Sequence, residues 1–83
     1  MNMKYVDFSG ADLRYLDLCF AEFSGANFEG ANFDGANLKY VNLTGANLQN
    51  VNFSNASLNG ANLKGANITG ANFSNAQLKN TQF

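Results

Sequence analysis

The sequence predicts a short-period solenoid, and three observations carry that prediction. Every alanine stands one place after a multiple of five, and every glycine stands on a multiple of five. Division from Met1 gives five-residue units without a gap: Ala26-Asn27-Phe28-Glu29-Gly30 is followed by Ala31-Asn32-Phe33-Asp34-Gly35. A period of five fits neither the helix period near 3.6 nor the strand period of 2. Units repeated at one fixed length cannot bury an apolar face alone, so they must stack on copies of themselves.

Each place in the unit has its own physical task. The first place is small, with Ala in most units and Met1, Val6, Leu16, Val41, Val51 and Thr81 in the others. The second is polar throughout: Asp7, Asp12, Asp17 and Glu22, then Asn from Asn27 onward except at Ser57, Gln77 and Gln82. It must face water or backbone. The third place always holds a large apolar residue, from Met3 and Phe8 to Phe83, and must be buried. The fourth varies and is mostly hydrophilic (Ser9, Arg14, Glu29, Lys39, Thr44, Lys64), which marks it as facing solvent. The fifth holds Gly or Asn in most units, the residues that best tolerate positive φ, so a tight turn recurs at every unit.

Units such as Ala61-Asn62-Leu63-Lys64-Gly65 and Ala66-Asn67-Ile68-Thr69-Gly70 follow the pattern A-[DN]-[LF]-x-x, with Ile in the middle of the second. In this the chain resembles the pentapeptide-repeat family over all of residues 1–83. The resemblance implies an all-β fold: a right-handed quadrilateral parallel β-helix of about four coils, a single domain. Four units to the coil would stack residues twenty apart. The third place then falls into four columns, one of pure leucine (Leu18, Leu38, Leu58, Leu78) and one with three successive phenylalanines (Leu13, Phe33, Phe53, Phe73). Columns of second-place amides also follow, Asn27-Asn47-Asn67 and Asn32-Asn52-Asn72, and hydrogen bonds along the stack are expected of them.

Reaction chemistry finds no footing in these residues. The chain has no histidine, and no serine has an evident base beside it, so nucleophilic and acid–base constellations cannot be assembled. Asp7, Asp12 and Asp17 look like a cluster, but their spacing puts them on successive sides of a coil, pointing apart. The glycines are turn corners and not a phosphate-cradling loop. The expectation is therefore no enzyme, no cofactor and no metal. Cys19 is the only cysteine and occupies an outward place, so no internal disulfide can form. No export signal or apolar run long enough for a membrane helix is visible, and a cytoplasmic protein without membrane or direct nucleic-acid binding is expected.

Surface features then point to binding. The net charge is −1, yet all six carboxylates fall within the first 34 positions, so the rod is electrically polarised along its axis. Tyr5, Tyr15, Phe20 and Tyr40 replace the turn-forming Gly or Asn in the fifth place, all in the first half. Either these corners use a turn without positive φ, their rings covering backbone, or the rings form a partner-binding patch of Tyr15, Phe20, Lys39 and Tyr40, with Phe20 and Tyr40 stacked. Neither end carries a capping element, and end-to-end self-association as a dimer or longer array is expected, with Phe73, Leu78 and Phe83 near the contact. The functional expectation is a noncatalytic structural or protein-interaction scaffold. The alternative is a DNA-mimicking modulator of a type II topoisomerase (gyrase), implied by the acidic rods of some members of the family that it resembles.

Overall fold

A computed structural model describes all of residues 1–83. The chain winds as a right-handed quadrilateral β-helix. Coil one holds residues 1–20, coil two 21–40, coil three 41–60 and coil four 61–80, while 81–83 begin another coil. The register is strict. Each second-place residue forms a parallel bridge to the residue twenty places on, from Asn2 with Glu22 to Asn62 with Gln82.

The backbone bonds explain why five residues suffice for one side. The third-place N–H donates up the stack to the second-place carbonyl of the next coil, as Phe33 does to Asn52 at 2.7 Å. The second-place N–H donates down to the first-place carbonyl of the preceding coil, as Asn52 does to Ala31 at 3.0 Å. Corners use a turn bond from the next first-place N–H back to the third-place carbonyl, as from Ala36 to Phe33 at 2.9 Å. The fifth-place N–H again donates up the stack, Gly35 to Ser54 at 3.0 Å. Only the fourth-place N–H is left over, and the second-place side chain takes it.

That last bond corrects the expectation of amide ladders. Each Asn or Asp in the second place turns its Oδ1 toward the N–H two residues on in its own unit, at 2.9 Å for Asn52 with Ser54 and 3.0 Å for Asn27 with Glu29. This is an Asx turn, and short Asn and Asp side chains reach it readily. Second-place side chains bond to one another from coil to coil at two points: Asn37 Nδ2 donates to Asp17 Oδ1 at 3.2 Å, and Ser57 Oγ to Gln77 Oε1 at 3.2 Å. The local bond wins because an N–H without a backbone acceptor is costlier than an amide left to water.

Inside, first-place and third-place side chains of coils two and three fill the core without gaps. Phe28, Phe33, Phe53, Leu38, Leu43, Leu48 and Leu58 are fully buried, with Ala26, Ala36 and Ala46 between them. The phenylalanine column stacks as expected: Phe33 on Phe53 at 5.3 Å and 4°, Phe53 on Phe73 at 5.1 Å and 11°. Burial of each such ring stabilises by roughly 1.5 to 3 kcal/mol. In coil four Ile68 and Leu78 become exposed, as does Phe83 beyond it, and Phe73 is half-buried.

Candidate protein-interaction site

Every residue in the fifth place has positive φ, and the aromatic ones are no exception. Tyr5, Tyr15, Phe20 and Tyr40 lie at φ of 62°, 63°, 65° and 58° beside glycines at 67° to 75°. Positive φ confined to the third residue of the turn is the signature of type II geometry. The expectation that these corners adopt another turn is therefore overturned. The stacked coils set the corner, and a side chain in the fifth place has to accept it at about 1 to 2 kcal/mol.

Part of that cost is recovered by packing of the rings. Tyr15 lies over Gly35 and Tyr40 over Gly60, in each case the fifth-place residue of the next coil. Tyr5 covers Gly25 in the same way. A β-carbon built on Gly35 would meet the Tyr15 ring at 2.6 Å, so the aromatic residue and the bare α-carbon above it form a matched pair.

One corner departs from this scheme. Phe20 has Tyr40 above it in place of glycine, and the two rings stack with centroids 4.9 Å apart and planes 14° from parallel. The pair is worth about 0.5 to 1.5 kcal/mol beyond its area, yet it stays largely in water, Phe20 being 70% and Tyr40 56% exposed. Of the residues predicted for this patch, Phe20 and Tyr40 meet. Lys39 stands exposed just before Tyr40, above Cys19, while Tyr15 occupies the neighbouring corner.

A second departure adjoins the first and was missed by sequence reasoning. Glu22, two residues past Phe20 and around the corner, stands where neighbouring units have Asn or Asp. Its longer side chain makes no bond to the Ser24 N–H, and its Oε1 is buried without a hydrogen-bond partner. The signal was available: Glu22 is the only Glu in the second place. Asp12 and Asp7 are held within their own units. Asp12 holds Arg14 through paired bonds of 2.9 Å and 2.9 Å, and the Arg14 guanidinium keeps the Asp12 carboxyl below its ordinary value. The Ser9 N–H does the same for Asp7, helped by the Ser9 hydroxyl. Asp7, Asp12 and Asp17 bridge to Asn27, Asn32 and Asn37 on three different sides, and no group of three potential metal ligands forms. No pocket opens on the surface.

Comparison with known proteins agrees with this geometry. The family profile described as a pentapeptide repeat region matches residues 1–83. No curated protein sequence matches the chain. Among solved structures, the pentapeptide repeat protein Rfr23 of the cyanobacterium Cyanothece 51142 superposes with a TM-score of 0.96 at 34% identity, covering 98% of this chain and 55% of its own. HetL of Nostoc sp. strain PCC 7120, a pentapeptide repeat protein involved in regulating heterocyst differentiation, superposes at 0.60 with 40% identity, covering 96% of this chain and 39% of its own. QnrB1, a plasmid-mediated fluoroquinolone resistance protein, superposes at 0.59 with 20% identity over 96% of this chain and 66% of its own, a likeness of fold alone. The chain thus spans about half the length of the first of these and less of the second.

Proposed function

The chain belongs to the pentapeptide-repeat family, and from that premise we propose that it is a noncatalytic scaffold whose Phe20–Tyr40 corner binds a protein partner. The single observation that carries the reading is the stacked, water-exposed pair itself. Two bulky rings held at positive φ, where other units place Gly or Asn, weaken the corner and leave apolar area in water. Tyr5 and Tyr15 also stand exposed at positive φ, but only here do two such rings stack on each other, and that doubled cost at one corner supports a role in recognition. The absence of histidine supports a role without catalysis, as does a family whose members are generally structural or interaction proteins.

The test uses the repeat's own alternatives. Phe20→Gly with Tyr40→Gly keeps the turn and removes the rings, so the fold should survive while a partner retained by the unaltered bait is lost. Equal recovery by both baits ends the proposal. The exposed Leu78 and Phe83, with half-buried Phe73, favour self-association through the last coil as a second property of the scaffold. Sedimentation at high concentration showing only monomer removes it. For a DNA-mimicking modulator of gyrase, carboxylates should climb a face; instead Asp7 is followed in its column by Asn27, Asn47 and Asn67. No inhibition of supercoiling is expected, and clear inhibition at modest protein concentration would reverse that ranking.

A further inference from the structure

The Phe20–Tyr40 corner has a chemical preference, and we infer that it takes a guanidinium: the partner presents an arginine side chain that stacks on Phe20 and pairs with the flanking carboxylates. This rests on the reading of the corner as a protein-binding site and names what that site would recognise.

The rings supply a stacking platform. Phe20 is the outer member of the pair, 70% exposed, while Tyr40 is held between Phe20 and the α-carbon of Gly60. Aromatic faces attract cations, arginine above all, because its flat guanidinium stacks and donates hydrogen bonds in its own plane at the same time.

Charge supplies the sign. Asp17 precedes Phe20 by three residues on one side of the corner, and Glu22 follows it by two on the adjoining side. Asp17 accepts from Cys19 N–H at 3.2 Å and Asn37 Nδ2 at 3.2 Å through Oδ1, and no bond engages its Oδ2. The Glu22 side chain is half-buried with Oε1 unbonded, so outward rotation toward a cation would relieve an unsatisfied oxygen. Lys39 stands beside Tyr40, one coil above Cys19. Two departures from the repeat, a ring where glycine belongs and a glutamate where asparagine belongs, thus meet at one corner. Each gains when a guanidinium arrives.

The experiment titrates the full 83-residue chain with capped Gly-Arg-Gly-Arg-Gly, following the ring resonances of Phe20 and Tyr40 by NMR. Two control peptides replace arginine by lysine or by citrulline, the latter keeping the shape and losing the charge. Saturable shifts are expected with arginine, at least threefold weaker binding with lysine and none with citrulline. Phe20→Gly should weaken arginine binding at least tenfold and Glu22→Gln at least threefold, with circular dichroism unchanged. For variants that lose one ring, the remaining ring reports. No saturable shift up to millimolar arginine peptide overturns the inference, as does equal binding of citrulline or lysine, or unaltered binding by both variants. If a protein partner is still lost on removal of the rings while the arginine peptide fails, the corner binds something other than a guanidinium and the broader reading stands.

Discussion

The ring of Tyr40 lies across the α-carbon of Gly60, so close that a β-carbon built on Gly60 would stand 2.5 Å from its Cδ1 and Cε1. At Gly30, with φ of 70° against 75° at Gly60, a β-carbon would meet nothing within 4 Å. Gly30→Ala should therefore show the backbone cost alone, about 1 to 2 kcal/mol. Gly60→Ala should cost more by about 0.5 to 1.5 kcal/mol, because the displaced Tyr40 ring also leaves Phe20. In a Tyr40→Gly background the two substitutions should cost the same. Urea midpoints for the four variants decide it, and a difference that persists without Tyr40 disproves the contact's role.

Glu22→Asn should stabilise the protein. Asparagine at this place reaches the N–H two residues on, as Asn42 reaches Thr44 at 3.0 Å, and Ser24 N–H has no other acceptor. One recovered hydrogen bond is worth about 0.5 to 1.5 kcal/mol. An unchanged or lowered denaturation midpoint would show that Glu22 already satisfies its surroundings.

Phe53 is the middle ring of the Phe33-Phe53-Phe73 stack and is fully buried. Phe53→Ala should cost about 3 to 5 kcal/mol, and Phe53→Leu less than about 1.5 kcal/mol. The asymmetry follows from the column itself, which begins with Leu13 and so accommodates both shapes. Chemical denaturation of the two variants measures it directly, and equal losses would mean that ring stacking, not volume, holds the column.

Acid should weaken the fold through Asp7 and Asp12. Their folded carboxyls lie below the ordinary value of 3.8, Asp7 mainly through the Ser9 N–H and Asp12 mainly through the Arg14 guanidinium. A depressed folded pKa contributes stability above about pH 4 and loses it as the pH falls through the folded value. Both groups are exposed, so the change is small. Asp7→Asn with Asp12→Asn keeps the Asx turns and should flatten the dependence between about pH 5 and 2. A midpoint that rises on acidification in the unaltered protein would reverse the sign.

How much of this could be read from residues alone depends on the range of the interaction concerned. Five-residue units follow from counting alone, and once the family resemblance supplies four units to the coil, counting in twenties gives the leucine and phenylalanine columns and the pairing of Phe20 with Tyr40. The Asn residues show where counting fails. Asn27, Asn47 and Asn67 do stand one above another, but stacking does not say whether Oδ1 bonds the next coil or its own unit. That choice depends on which backbone N–H lacks an acceptor, and three-dimensional bookkeeping of the coil is needed to find it. The aromatic corners fail differently. Local preference argues against Tyr or Phe at positive φ, yet the stacked coils impose the corner and Gly25, Gly35 and Gly60 make room for the rings of the coil below. Glu22 was visible as an exception, but its unbonded oxygen was not.

The twenty-residue register has a consequence for how such a chain tolerates gain and loss of sequence. Excision of one five-residue block, 26–30 for example, leaves each remaining side chain in its own kind of place and the core intact. Everything downstream then swings by a quarter turn: Tyr40 arrives above Tyr15, and Phe20 finds itself beneath Gly45. Excision of four blocks together shortens the molecule without reshuffling any face. Indels of the smaller size spare folding while erasing whatever the exterior recognises, so lineages under selection for a docking surface should lengthen or shrink by whole coils.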